Sequence, residues 1–135
     1  MIAPNNTKLV RICASEIGDS IASNVFSVSK DFQIVVDIEA GSTIFGGGAQ
    51  YVTGVVLKDL FDNTLIFKGN IPTFATGYMG DTYWPKPKHS MRYTVPAIAL
   101  TGRDDHFCRI YAFLRVRVTD QDVSFGTSDL LFLNK

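Results

Sequence analysis

Histidine and cysteine are scarce in this sequence, and no charge of either sign is in excess. There are two histidines, His89 and His106, and two cysteines, Cys13 and Cys108, in 135 residues. A metal centre needs three or four convergent ligands, so two imidazoles do not supply one, and no cofactor is implied. Two sulfurs in a chain of this length do not make a disulfide-dependent scaffold; whether they pair stays open, and two buried thiols are the simpler account. Thirteen basic residues balance thirteen acidic ones. That leaves no global field to attract nucleic acid or an anionic membrane surface. No stretch approaches the ~20 apolar residues of a spanning helix. Met1 to Val10 has neither a basic start nor an apolar signal region, so a cytoplasmic location is the default expectation, with export the alternative if a signal segment has been removed. There is no Gly-x-Ser-x-Gly elbow. Gly46-Gly47-Gly48 runs into the strand-like Gln50-Tyr51-Val52 without a following Lys and Ser or Thr, so it reads as a flexible hairpin connection and not as a phosphate loop.

What is present is apolar content, 46% of residues, laid out with a period of two. Residues 1–135 are expected to form a single domain with a sizeable core. Phe32, Ile34, Val36, Ile38 and Ala40 alternate with Asp31, Gln33, Val35, Asp37 and Glu39, the pattern of a half-buried strand. A longer alternation places Cys108, Ile110, Ala112, Leu114, Val116 and Val118 inward. Further strands are expected over residues 8–14, 25–29, 51–57, 65–68, 91–95, 123–125 and 130–133, separated by turn signals such as Gly18-Asp19, Asp62-Asn63 and Thr101-Gly102. The fold class is therefore all-β: an antiparallel β-sandwich of seven to nine strands, for which an immunoglobulin-like topology fits. A helical turn around Ser15 to Ser23 would not change that class. Cys13, Trp84 and Cys108 follow the order used by immunoglobulin domains, but Trp84 lies among prolines and His106 stands where the tyrosine corner would fall, so topology and not membership is the expectation.

Three constellations are candidate sites. The stretch from Ile71 to Ser90 holds Pro72, Pro85 and Pro87 among several aromatics, too many breakers for a central strand, and so is expected to be a long surface loop. In it Tyr78, Tyr83, Trp84, Lys86 and His89 offer the flat faces and polar edges of a glycan or peptide site, or else the aromatics cap one end of the sandwich. The second candidate is the outer face of the longest strand. Arg109, Tyr111, Phe113, Arg115 and Arg117 project together there, and aromatic and Arg side chains are the types enriched in protein interfaces. The third is acidic. Val118-Thr119-Asp120-Gln121-Asp122, followed by Asp129, resembles the third calcium loop of phospholipid-binding sandwiches of the synaptotagmin type, with the last aspartate one position later than in that pattern. The resemblance implies Asp120, Asp122 and Asp129 as metal ligands; the alternative is turn aspartates bonding their own backbone.

Catalytic arrangements are few. Asp105 and His106 are neighbours and would point apart in a strand, Asp104 could share a face with His106, and Cys108 with His106 would place a nucleophile in the core, where a thiol is inert. The reading is a non-catalytic β-sandwich that works by contact, as a protein-interaction or assembly subunit with a protein partner or self-association. Its rival is a lectin-like glycan- or peptide-binding module using loop 71–90, and a calcium-dependent binding domain comes third. A subunit contact would cover Tyr111 and Phe113, whereas a lectin-like site would leave Tyr83 and Trp84 exposed around a concavity.

Overall fold

The computed structural model describes residues 6–71, 77–117 and 122–135. The described residues form ten strands: β1 (Thr7–Glu16), β2 (Val25–Ser27), β3 (Phe32–Ala40), β4 (Gln50–Asp59), β5 (Leu65–Ile71), β6 (Gly77–Tyr78), β7 (Lys88–Val95), β8 (Phe107–Arg117), β9 (Asp122–Thr127) and β10 (Leu131–Asn134). A five-residue helix, α1 (Ser42–Gly46), and a 3-10 turn at Ala97–Leu100 are the helical pieces among the described residues. A smaller sheet has the order β1-β3-β7. A larger one runs β2-β10-β8-β4-β5, with β6 beside β4 and β9 beside β8. Among the described strands pairing is antiparallel except for β2 with β10, which run parallel.

The alternation that identifies β3 in the sequence places Phe32, Ile34, Val36, Ile38 and Ala40 in the core. Across from them β8 contributes Cys108, Ile110, Ala112, Leu114 and Val116, all at most 1% exposed. These two inward rows, with Tyr51, Val55 and Leu57 of β4, form the centre of one continuous cluster of buried residues. Phe26 stacks on Phe32 at 4.4 Å between ring centres and joins the short β2 to that cluster. The sheets also approach through glycines. A Cβ on Gly69 would lie 2.6 Å from the Tyr93 ring, and one on Gly126 would lie 2.7 Å from the Ile12 side chain.

Several sequence expectations are corrected. Residues 15–23 are not helical: β1 continues to Glu16, and Gly18 turns the chain at φ +80. Gly46-Gly47-Gly48 is not a hairpin connection, because β3 pairs with β1 and β7 while β4 pairs with β5, β6 and β8; the segment crosses between sheets through α1. Gln33 and Val35, expected to face solvent, are 6% and 3% exposed, since β3 is the central strand of its sheet and its neighbours' side chains cover them. Gln33 is satisfied there, donating to Ser15 Oγ and to the Glu16 and Asp19 carbonyls. The two cysteines are both free thiols. Cys13 pairs with Val35 on the outer side of the smaller sheet, while Cys108 points inward from the larger one.

Candidate functional site

The outer face of the larger sheet is built by β8 and by the register of its neighbours. Along β8 the inward residues are buried, and Phe107, Arg109, Tyr111, Phe113, Arg115 and Arg117 alternate onto the other side. Pairing sets what lies beside each. Phe113 sits between Gly54 of β4 and Phe125 of β9; Tyr111 sits between Val56 and Thr127; Arg115 sits between Val52 and Val123. Gly54 adds no side chain of its own beside Phe113 and is itself buried. Phe113 is 38% exposed, Val123 67% and Phe125 68%. The Tyr111 and Phe125 rings lie 6.2 Å apart. A strand face turned to water is ordinarily polar, and this one carries a continuous apolar strip. The strip extends past Arg109 to Phe107, whose ring is 5.0 Å from that of Phe132, beside Val25.

Cations border the strip. Lys58 is the cross-strand partner of Arg109, an unfavourable like-charge pairing, and Lys68 stands opposite Val56. The Nε of Arg109 is buried without a hydrogen-bond acceptor. At the far end Gln50 lies between Arg117 of β8 and Tyr78 of β6, and a depression of about 60 Å³ is lined by Gln50, Tyr51, Val52, Arg115 and Arg117. The structure thus places the five residues Arg109, Tyr111, Phe113, Arg115 and Arg117 on one face. It adds Val52, Val56, Val123 and Phe125, which sequence reasoning passed over. The alternating Val123 and Phe125 were the available signal, but only the register shows that they flank Phe113.

The aromatic loop is differently organised. Asp81 gathers it: its carboxylate accepts the Tyr83 and Trp84 amides at 2.9 Å, the Tyr78 amide at 3.1 Å and the Tyr51 hydroxyl at 2.9 Å. Burial, then the hydrogen bond to Asp81, raises the Tyr51 hydroxyl well above its usual range, so it stays a donor. The turn so formed delivers Trp84 into the core, 0% exposed and edge-on to Tyr51 at 5.1 Å. Of the two alternatives for these aromatics, Trp84 follows the capping one: the indole closes the sandwich, because Asp81 and Gly80, at φ +94, fold the chain back over it. Tyr83 and Lys86 are exposed, and Tyr78 belongs to the outer face just described. His89 is half-buried on β7 opposite Ile38, and burial lowers its pKa, with nearby Arg92 adding to the effect. These five side chains are not brought around one concavity.

The acidic candidates are only partly described. Asp120 lies outside the described residues. Asp122 opens β9 and Asp129 follows its end, so roughly 17 Å of extended strand separates them. Among the described residues no group of three His, Cys, Asp or Glu is placed to hold a metal. His106 pairs with neither Asp104 nor Cys108. Its Nδ1 donates to Asp59 at 2.6 Å while its ring stacks on Phe61. Asp59 is fully buried and also accepts Arg103 at 2.8 Å and the Phe61 amide at 2.8 Å. Burial alone would raise the Asp59 carboxyl, but the bonds from His106, Arg103 and the Phe61 amide outweigh it and hold it below the usual range. Arg103 also bonds Thr64, so the cluster ties the β4–β5 turn to the start of β8. Burial pushes the Cys108 thiol up to about 12, which leaves it protonated and unreactive. No helix among the described residues is long and apolar enough to cross a membrane.

No protein-family model matches the chain, and no curated protein sequence does. Among solved structures it is similar to Spo0M, the sporulation control protein of Bacillus subtilis, with a TM-score of 0.50 over 96% of this chain and 13% sequence identity. The chain spans about half of that protein, 49% of its length. At this identity the likeness carries the β-rich fold alone.

Proposed function

We propose that the protein acts by contact and not by catalysis, as a single-domain β-sandwich that presents the outer face of its larger sheet to another protein. The observation that supports this is the exposed apolar strip of Phe113, Phe125 and Val123, set among half-buried Tyr111, Val52 and Val56. The core is complete without the strip, since the opposite sides of the same strands already fill it. An apolar surface that a fold leaves in water, edged by Arg and Tyr, has the composition of an interface centre. The His106–Asp59 pair does not compete with this reading. Its carboxylate is occupied by Arg103 and by backbone, and the cluster fastens two loops.

The test is site-specific photocrosslinking in living cells, with benzoylphenylalanine placed at position 113 or 125 and, as control, at the exposed position 92 on the opposite sheet. The expected result is a discrete covalent adduct from 113 and 125 and none from 92. Adducts of equal yield from all three positions, or none from 113 and 125, would count against the face as a contact surface.

A further inference from the structure

The cations around the apolar strip say what kind of partner fits it. We propose that the occupant is an acidic segment of another protein, with apolar side chains at its centre and Asp or Glu at both ends, and not a second copy of this chain. This inference rests on the reading of the face as a protein-docking surface.

The charge balance of the whole chain is zero, yet this face is one-sided. Among the described residues the outer positions of β4, β8 and β9 carry Lys58, Arg109, Arg115 and Arg117 and not one Asp or Glu. The salt bridges of Arg11, Arg103 and His106 involve none of Lys58, Arg109 and Arg117. Lys58 and Arg109 face each other across strands, so each raises the other's need for an anion. Arg109 and Arg117 stand roughly 26 Å apart along the strand, with Tyr111 and Phe113 between them. Cations therefore stand on either side of the Tyr111 and Phe113 strip, with the second apolar group of Phe107 and Phe132 lying beyond Arg109.

A second copy docking by the same face in two-fold symmetry would set this cationic border against itself. An acidic segment removes the repulsion within the face and covers the strip. Electrostatic attraction of this kind also makes association fast and salt-sensitive.

The experiment is selection of a random dodecapeptide phage library on the immobilised full chain, with removal of phage that also bind the Phe113→Asp protein. Thermal unfolding first establishes that each variant is folded. The selected peptides are expected to carry Asp or Glu around Leu, Ile or Phe. Their affinity should fall about tenfold or more in a Lys58→Glu, Arg117→Glu variant and stay within about twofold in Arg117→Lys. Selected peptides that are neutral or basic, and indifferent to the charge reversal, would overturn the acidic partner while leaving the docking face standing. Failure to select any peptide that distinguishes the wild type from Phe113→Asp would overturn both. Two controls complete the set: Phe113-dependent binding to phosphatidylserine vesicles in place of peptide, or a Phe113-dependent doubling of the solution mass, would assign the face to a membrane or to self-association and overturn the proposal.

Discussion

Asp81 and Asp59 show how single carboxylates organise what the strands leave open. Asp81 collects three backbone amides and a tyrosine hydroxyl, and the result is a buried Trp84. Replacing Trp84 with Ala should therefore cost about 3–5 kcal/mol in urea denaturation, the range for emptying an aromatic from a core; a loss near zero would return the loop to the role of an exposed ligand site. Asp59 makes a pH-dependent contribution. Its carboxyl is held below the unfolded value near 4, so the stabilisation is fully present above that value and is lost as pH falls through the folded one. An Asp59→Asn variant should be about 3 kcal/mol less stable than wild type at neutral pH, and the gap should narrow in acid. A gap that is constant with pH would mean that the carboxylate charge contributes nothing. Neither aspartate was legible as a hub. Asp81 looks like any loop aspartate, and Asp59 meets His106 only because β4 lies beside β8, a pairing between residues 47 positions apart.

At the scale of elements, the sequence signal was strongest where one face of a strand is buried and the other is not. β8 behaves that way, and its alternation reads correctly from Phe107 to Arg117. β3 is covered on both sides, and there alternation misassigned Gln33 and Val35. Periodicity cannot report which strands pair, so the crossover at residues 41–49 was mistaken for a hairpin and the parallel pairing of β2 with β10 was not foreseen. Glycines mark the approaches that pairing creates. β5 lies against β7 where Gly69 meets Tyr93, and a Cβ would come within 2.6 Å of the ring. Gly69→Ala should lower the unfolding free energy by about 1–3 kcal/mol through overpacking. An unchanged midpoint would show that Tyr93 can swing aside at no cost.

At the scale of the whole molecule, two sheets close on one core, and the larger sheet keeps a second apolar face that the core does not use. The stripe on β8 was legible as Arg109, Tyr111, Phe113, Arg115 and Arg117. Its width was not, because Val52, Val56, Val123 and Phe125 reach it only through the register of β4 and β9. A side chain that serves binding and not folding can be replaced by a charge at little cost, whereas one that serves the core cannot. Phe125 separates the two cases, being 68% exposed on β9 beside Phe113. The most direct test is the unfolding free energy of Phe125→Asp from equilibrium urea denaturation. A loss of no more than about 1 kcal/mol, the worth of a cross-strand pair, is the result this account predicts. A loss of about 3 kcal/mol or more would place Phe125 in the core and contradict it.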